Sequence, residues 1–468
     1  LPPVSNSIGV IQHSQPIVAL VVAVALFLLG RIIIQKVAFA EGDAWLVRVL
    51  TIGLVLHLLA APAQIYIVSH VYHGITDWNR YVLQAGPLST NFRHFDFSTN
   101  GVYIKQIVND GSVGIAGGIV MAVVGINQLA LFLVFGFTSF LGAVCFFRAF
   151  TLTFPRADHR RYALMLFLLP SLIYWTADLS KESLMVLAFG LLAYGAAKFL
   201  ARVRGGLLLV VPGTFIAAYV RPNELLIVVA AFIVAMMIPT AATRKAFGGV
   251  RRLLGLVFLG VLLVLSISVT LHYLSGGAGG SLSLQQTNAN NQGTGNGFGS
   301  SGVPYSSNLL TFPRDIYEML FNPLPFNAHG SGEYIAALEN TVLLGLILLS
   351  LRNLRILPRA SFARPYVMLC LVFTGIFIYT FAALGNLGLI DRERVVMLPF
   401  LLVLLCIPRA PRGSPHRYEW ELTRGVRIRR RQMLERIAAT RRFAAYRAGP
   451  PASEGPKPDM AGSYPPNV

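Results

Sequence analysis

The sequence predicts an all-α protein, a polytopic transmembrane helical bundle of about eleven spans, N-terminus outside and C-terminus cytoplasmic. Three observations carry that expectation. Of 468 residues, 55% are hydrophobic and only 13% charged, where soluble chains carry about 25% charged residues. The apolar residues gather in runs, most of them near the ~20 residues that cross a bilayer. The Lys and Arg excess behind the net charge of +19 falls in short clusters between those runs, the pattern of cytoplasmic membrane loops. The expected surroundings are therefore a lipid bilayer, and nucleic acid is excluded as a partner. Cys145, Cys370 and Cys406 lie inside apolar runs, so neither a disulfide framework nor a cysteine metal site is expected.

The first apolar run follows no basic segment and no small-residue cleavage site, so it reads as a retained span rather than a signal peptide. It covers Pro16–Ile34, and the second covers Leu46–His70 with Pro62 placed to kink it. A polar loop, Val71–Gly111, follows. Ser112–Gly125 is apolar but short and Gly-rich, so it reads as a re-entrant or interfacial segment. Spans 3 to 7 are Ile126–Phe147, Tyr162–Trp175, Ser183–Leu200, Gly206–Val220 and Leu225–Pro239. Span 8 is Leu253–Leu274, and a long polar loop leads to Tyr334. Spans 9 to 11 are Ile335–Leu351, Pro365–Leu384 and Val395–Ile407.

Basic clusters follow spans 1, 3, 5, 7, 9 and 11, which the positive-inside rule places in the cytoplasm. Were Ser112–Gly125 a full span, every later loop would invert. The transmembrane domain is then 1–407, with outer loops 71–125 and 275–334, and 408–468 is a cytoplasmic tail. That tail is basic to Arg447 and Pro/Gly-rich beyond; its basic part suits the anionic inner leaflet. Gly276–Gly302 is rich in Gly, Asn, Ser and Gln without a charge, the composition of a flexible outer loop.

This topology leaves unusual charges on the outer face. Asp77-Trp-Asn-Arg-Tyr81 opens the first outer loop, and Asp178, Lys181, Glu182, Arg221 and Glu224 occupy short ones. Asp391-Arg-Glu-Arg394 sits between spans 10 and 11, where a bland reading is a solvated turn. Outer cations oppose the positive-inside bias, and charges at a membrane mouth are functional candidates by default. Lys181, Arg221, Arg392 and Arg394 suit a lipid-linked phosphate, Arg by forked hydrogen bonds and Lys as a point charge. Arg80 and Glu182 complete the candidate binding set. Asp77, Asp391 and Glu393 are the candidate catalytic acids, as general base or metal ligands. Trp78 and Tyr81 suit a sugar platform or a membrane-interface belt. The plain alternative is that acids and bases pair and hold helices together. His70, His73 and Asp77 share one helical face, a weak signal for metal. No Walker loop, dinucleotide fingerprint or GxSxG elbow is present.

Pro170-Ser-Leu-Ile-Tyr-Trp-Thr-Ala-Asp-Leu-Ser-Lys-Glu-Ser-Leu184 resembles the P-S-x-x-x-W-[ST]-x-x-x-x-K-[DE] run of bacterial envelope-polysaccharide membrane proteins. Pro323-Leu-Pro-Phe326 with Leu338-Glu-Asn340, and Gly385-Asn-Leu-Gly-Leu-Ile-Asp-Arg-Glu-Arg394, look like further runs of that group. The group is similar to GT-C-class glycosyltransferases and O-antigen-polymerase-type proteins. The resemblance implies a bacterial plasma-membrane glycosyltransferase or polymerase. It would take a polyprenyl-phosphate-linked sugar donor and a saccharide or lipid acceptor on the outer face. Asp77 would activate the acceptor, and Lys181, Arg221, Arg392 and Arg394 would hold the lipid phosphate. The resemblance requires no cofactor and leaves a divalent metal open. The rival expectations are a flippase of lipid-linked saccharides and a non-catalytic scaffold of an envelope-assembly complex.

Overall fold

A computed structural model describes residues 15–70, 76–99, 102, 104, 107–155, 159–201, 203–237, 312–328, 331–381 and 387–407, with isolated positions between 253 and 264. Every regular element among the described residues is helical. Span 8, Gly276–Gly302, His73, Lys105 and the tail 408–468 lie outside the described residues, apart from those isolated span 8 positions.

The apolar runs become α1 (Pro16–Glu41), α2 (Ala44–His70), α5 (Gln128–Thr153), α8 (Lys181–Leu200), α9 (Leu207–Val220), α10 (Pro222–Met237), α12 (Ser331–Leu354) and α14 (Pro365–Phe381). Among the described residues, five segments are long and apolar enough to cross a membrane: α1, α2, Ile107–Val124, α5 and α8. Expected spans 6, 7 and 10 correspond to the shorter helices α9, α10 and α14. Span 4 is two pieces, α6 (His159–Leu168) and α7 (Pro170–Tyr174). The break falls at Leu169, whose extended backbone feeds Pro170 at the first helical position of α7, because the residue before proline is driven out of helical geometry.

Two expected loops contain helices. α3 (Asp77–Arg93) lies within the polar stretch 71–111, and α11 (Phe312–Phe321) precedes α12, which the short α13 (Leu357–Ala363) joins to α14. α3 runs alongside α4 (Ser112–Val124), with Gln84 against Gly114 and Leu88 against Gly118. Ile107–Val124 is not one straight helix. Asn109 has φ 71° and Val108 is extended, so the continuous helix begins at Ser112. Its 13 residues rise about 20 Å, against a hydrocarbon core of about 30 Å.

Side-chain contacts give each helix a direction. At one end, here the lower, Arg148 of α5 pairs with Glu41, and Arg160 of α6 reaches Asp43 at 3.4 Å. Arg161 donates to Ser350 of α12 at 2.5 Å, and Arg364 donates to the Thr153 carbonyl at 2.6 Å. At the upper end Gln64 of α2 meets Asp178, just before α8. α1 and α5 both begin there, since Asn127 donates to the Gln15 carbonyl at 2.8 Å. The chain therefore enters and leaves the α3–α4 layer at the same upper end.

α5 and α8 run in the same direction and touch through glycine. A Cβ on Gly190 would stand 2.4 Å from the Gly142 carbonyl oxygen, and one on Gly142 would stand 2.4 Å from that of Val186. Both obstacles are backbone and cannot swing aside, the close approach small residues permit between membrane helices. Gly142→Ala and Gly190→Ala should each cost about 1–3 kcal/mol of stability or more, read as a lowered melting temperature in detergent. An unchanged melting temperature for either would show that the helices can part freely.

Candidate functional site

The stretch Asp391–Arg394 is not a loop. α15 (Leu387–Leu405) begins eight residues before the expected start of span 11, so these charges occupy its early turns. Helical spacing sends them to two faces. Arg392 and Glu393 turn toward the starts of α8 and α10. Asp391 and Arg394 pair with each other at 3.2 Å, and Arg394 reaches toward the Leu320 carbonyl of α11 at 3.5 Å.

The first face forms a branched ion-pair network. Arg392 donates from Nη1 to Asp77 Oδ2 at 2.6 Å and from Nε to Glu182 Oε1 at 2.9 Å. The same Glu182 oxygen accepts from Arg221 Nη2. Arg221 Nη1 contacts both Glu224, at 2.6 Å, and Glu393. One guanidinium thus meets three carboxylates. The interior is graded: Glu182 and Glu224 are fully buried and Arg221 nearly so, while the Asp77 side chain is 57% exposed. The network runs from a solvated mouth to a closed base.

A second branch lies beside it. Asp110 accepts from Arg80 at 2.5 Å, from Lys181 at 2.6 Å and from the Tyr81 hydroxyl at 3.1 Å. Burial, with Asp110 and Asp77 nearby, pushes the Tyr81 phenol upward, so it stays a donor. Trp78 is buried edge-on against Phe132, ring centres 5.2 Å apart. Neither ring is presented to solvent as an open sugar platform; both fasten α3 to the bundle. His70 stacks on Tyr66.

Local sequence explains the convergence. Thr76 and Ser180 stand as extended N-cap residues before α3 and α8, and Ser180 Oγ accepts the Ser183 N–H at 3.4 Å. Pro222 opens α10 directly after Arg221. α3, α8, α10 and α15 therefore all present N-terminal turns to one place, where helix dipoles favour negative charge. The sequence runs quoted for the family resemblance also meet here. Glu339 accepts the Ser171 N–H at 2.7 Å, and Asn340 donates to the Pro323 carbonyl at 2.9 Å.

The four candidate phosphate-binding cations, Lys181, Arg221, Arg392 and Arg394, all face carboxylates, as does Arg80 of the wider binding set. Asp110, Gln64 and Glu339 are not among the residues the sequence marks as candidates, and Glu224 is marked only as an outer-face charge without a role. Glu224 stands three residues after Arg221, and Glu339 lies inside a quoted run. Gln64 and Asp110 carried no comparable signal. Among the described residues, no group of three or more His, Cys, Asp or Glu side chains is arranged to hold a metal ion.

Asp178, in the segment before α8, is buried and accepts from Gln64 at 3.3 Å. Burial raises its carboxyl to about 6, opposed by the nearby Arg392 charge and the bonds from Ser180 and Gln64. A raised carboxylate favours the folded state while protonated. Its contribution is lost as pH rises from about 4 to about 6 and is level above, roughly 3 kcal/mol in all. Asp178→Asn should remove that fall. The melting-temperature gap between variant and wild type should widen from pH 4 to pH 6, then stay constant. A pH-independent gap would show that Asp178 is ionised throughout.

No family model, curated protein or solved structure matches this chain.

Proposed function

We propose that the chain is a multi-pass enzyme of a bacterial plasma membrane that transfers a glycosyl group from a polyprenyl-phosphate-linked donor to a saccharide or lipid acceptor. In this reading the charged end faces outside, as the alternation of basic loops requires, and the expected eleven spans place it at headgroup depth. The N-terminus is outside and the C-terminus cytoplasmic. The α3–α4 layer is re-entrant or interfacial.

The observation that carries the reading is the chain Asp77–Arg392–Glu182. Arg392 is anchored inward by a fully buried carboxylate and outward by an exposed one. Exposed ion pairs are worth about 0–1 kcal/mol, so the outer pair exchanges readily while the inner one holds. An arriving lipid phosphate takes the outer edge of Arg392 and frees Asp77. Asp77 then accepts the proton of the acceptor hydroxyl. The acceptor oxygen bonds to the anomeric carbon, and the bond from that carbon to the phosphate oxygen breaks. The lipid phosphate leaves with the electron pair, its charge met by Arg392, Lys181 and Arg80. Arg221 and Arg394, buried among acids, act from behind as positioning residues.

The test is turnover by purified protein in lipid nanodiscs, offered polyprenyl-linked sugars and a saccharide acceptor. Arg392→Ala should lower kcat/KM about 10- to 150-fold, the loss of a charge-assisted contact. Arg392→Lys should not restore it, because Lys cannot bridge two oxygens with a planar fork. Movement of lipid-linked sugar across the bilayer without transfer would replace this reading with a flippase.

A further inference from the structure

The base of the network holds more acid than base. Arg221 and Arg392 lie there with three carboxylates, Glu182, Glu224 and Glu393. Oε1 of Glu224 and Oε2 of Glu393 meet at one nitrogen, Nη1 of Arg221. The other oxygens of Glu182 and Glu224 are buried without a hydrogen-bond partner. A buried carboxylate oxygen without a donor is costly, which favours the protonated form of the carboxyl that carries it. Two carboxylates sharing one site cannot both ionise cheaply.

We propose that Glu224 and Glu393 form a carboxyl–carboxylate pair that binds one proton at neutral pH on the nitrogen edge of Arg221. The site's ligand is the proton, taken from solvent and held between two oxygens. With it, the buried group balances: two guanidiniums, one Glu182 carboxylate and one shared negative charge. The groups facing the pair are Lys181 and Glu182 of α8, Arg221 just after α9 and Arg392 of α15; Asp178, before α8, lies by Glu182 and Arg392. Asp110, beside Lys181, faces that branch rather than the pair. Losing the proton adds a buried negative charge behind Arg392 and weakens its hold on any anion at the mouth. The inference is independent of glycosyl transfer, since it needs neither donor nor acceptor.

The test is infrared difference spectroscopy between neutral and alkaline pH on the purified full chain in nanodiscs. Glutamate labelled with heavy carbon at its side-chain carboxyl separates Glu from Asp bands, Asp178 included. The expected result is a label-sensitive carbonyl band of a protonated carboxylic acid at neutral pH, lost on alkalinisation. Glu224→Gln and Glu393→Gln should each abolish it, because the surviving carboxylate then has Nη1 of Arg221 to itself and ionises. A wild-type spectrum without such a band overturns the proposal, as does a band that survives either substitution. The wild-type measurement decides by itself if a variant fails to fold.

Discussion

Arg221→Ala is expected to leave little folded protein. The side chain is nearly buried and ion-pairs with Glu182, Glu224 and Glu393 from the end of α9. Removing one partner of a buried ion pair costs about 3–5 kcal/mol, because the remaining charge is left uncompensated. Here three carboxylates lose the same partner. Against a total stability of about 5–15 kcal/mol, that is enough to lower abundance sharply. The check is membrane-fraction level and thermal unfolding in detergent. Pairing Arg221→Leu with Glu224→Gln and Glu393→Gln should recover part of the loss, since replacing a whole buried network is cheaper than halving it. A normal level in Arg221→Ala would show that the network does not hold α8, α9, α10 and α15 together.

Asp77→Asn is expected to do the reverse: normal abundance, little product. Asp77 is exposed and at the first position of α3, and among the described residues its ion pair is with Arg392 at the mouth. Losing a general base costs about 100- to 10,000-fold in rate. The loss should fall on kcat, with KM for the donor unchanged or lower, because the carboxylate that competes for Arg392 is gone. A rise in KM with kcat preserved would mean that Asp77 binds donor rather than moving a proton.

The apolar runs were legible because each helix follows local composition. α1 and α2 start within two residues of their expected spans. α3 was not legible. Polar residues and an internal Pro87 hide its buried face, and that face exists only because the small residues of α4 receive it. The break of span 4 was written in Leu169–Pro170 but outweighed by continuous hydrophobicity. α15 begins early because Leu387–Ile390 is helical despite the turn-like Gly388. The charged set was legible as a set, since apolar flanks isolate each member. The pairing was not. Arg392 and Asp77 are 315 residues apart, and Arg221 and Glu393 are 172 apart; only the fold says which acid meets which base. The surplus of acids at the base depends on Glu224, whose meaning appears only when Glu393 is seen on the same nitrogen.

The exchange at the mouth is most directly tested by the affinity of purified protein for polyprenyl phosphate, measured in wild type, Asp77→Ala and Arg392→Ala. If phosphate and Asp77 compete for Arg392, the two substitutions act with opposite sign. Asp77→Ala should tighten binding several-fold, and Arg392→Ala should weaken it about 10-fold or more. Equal affinity in all three proteins, or weaker binding in Asp77→Ala, would contradict the account.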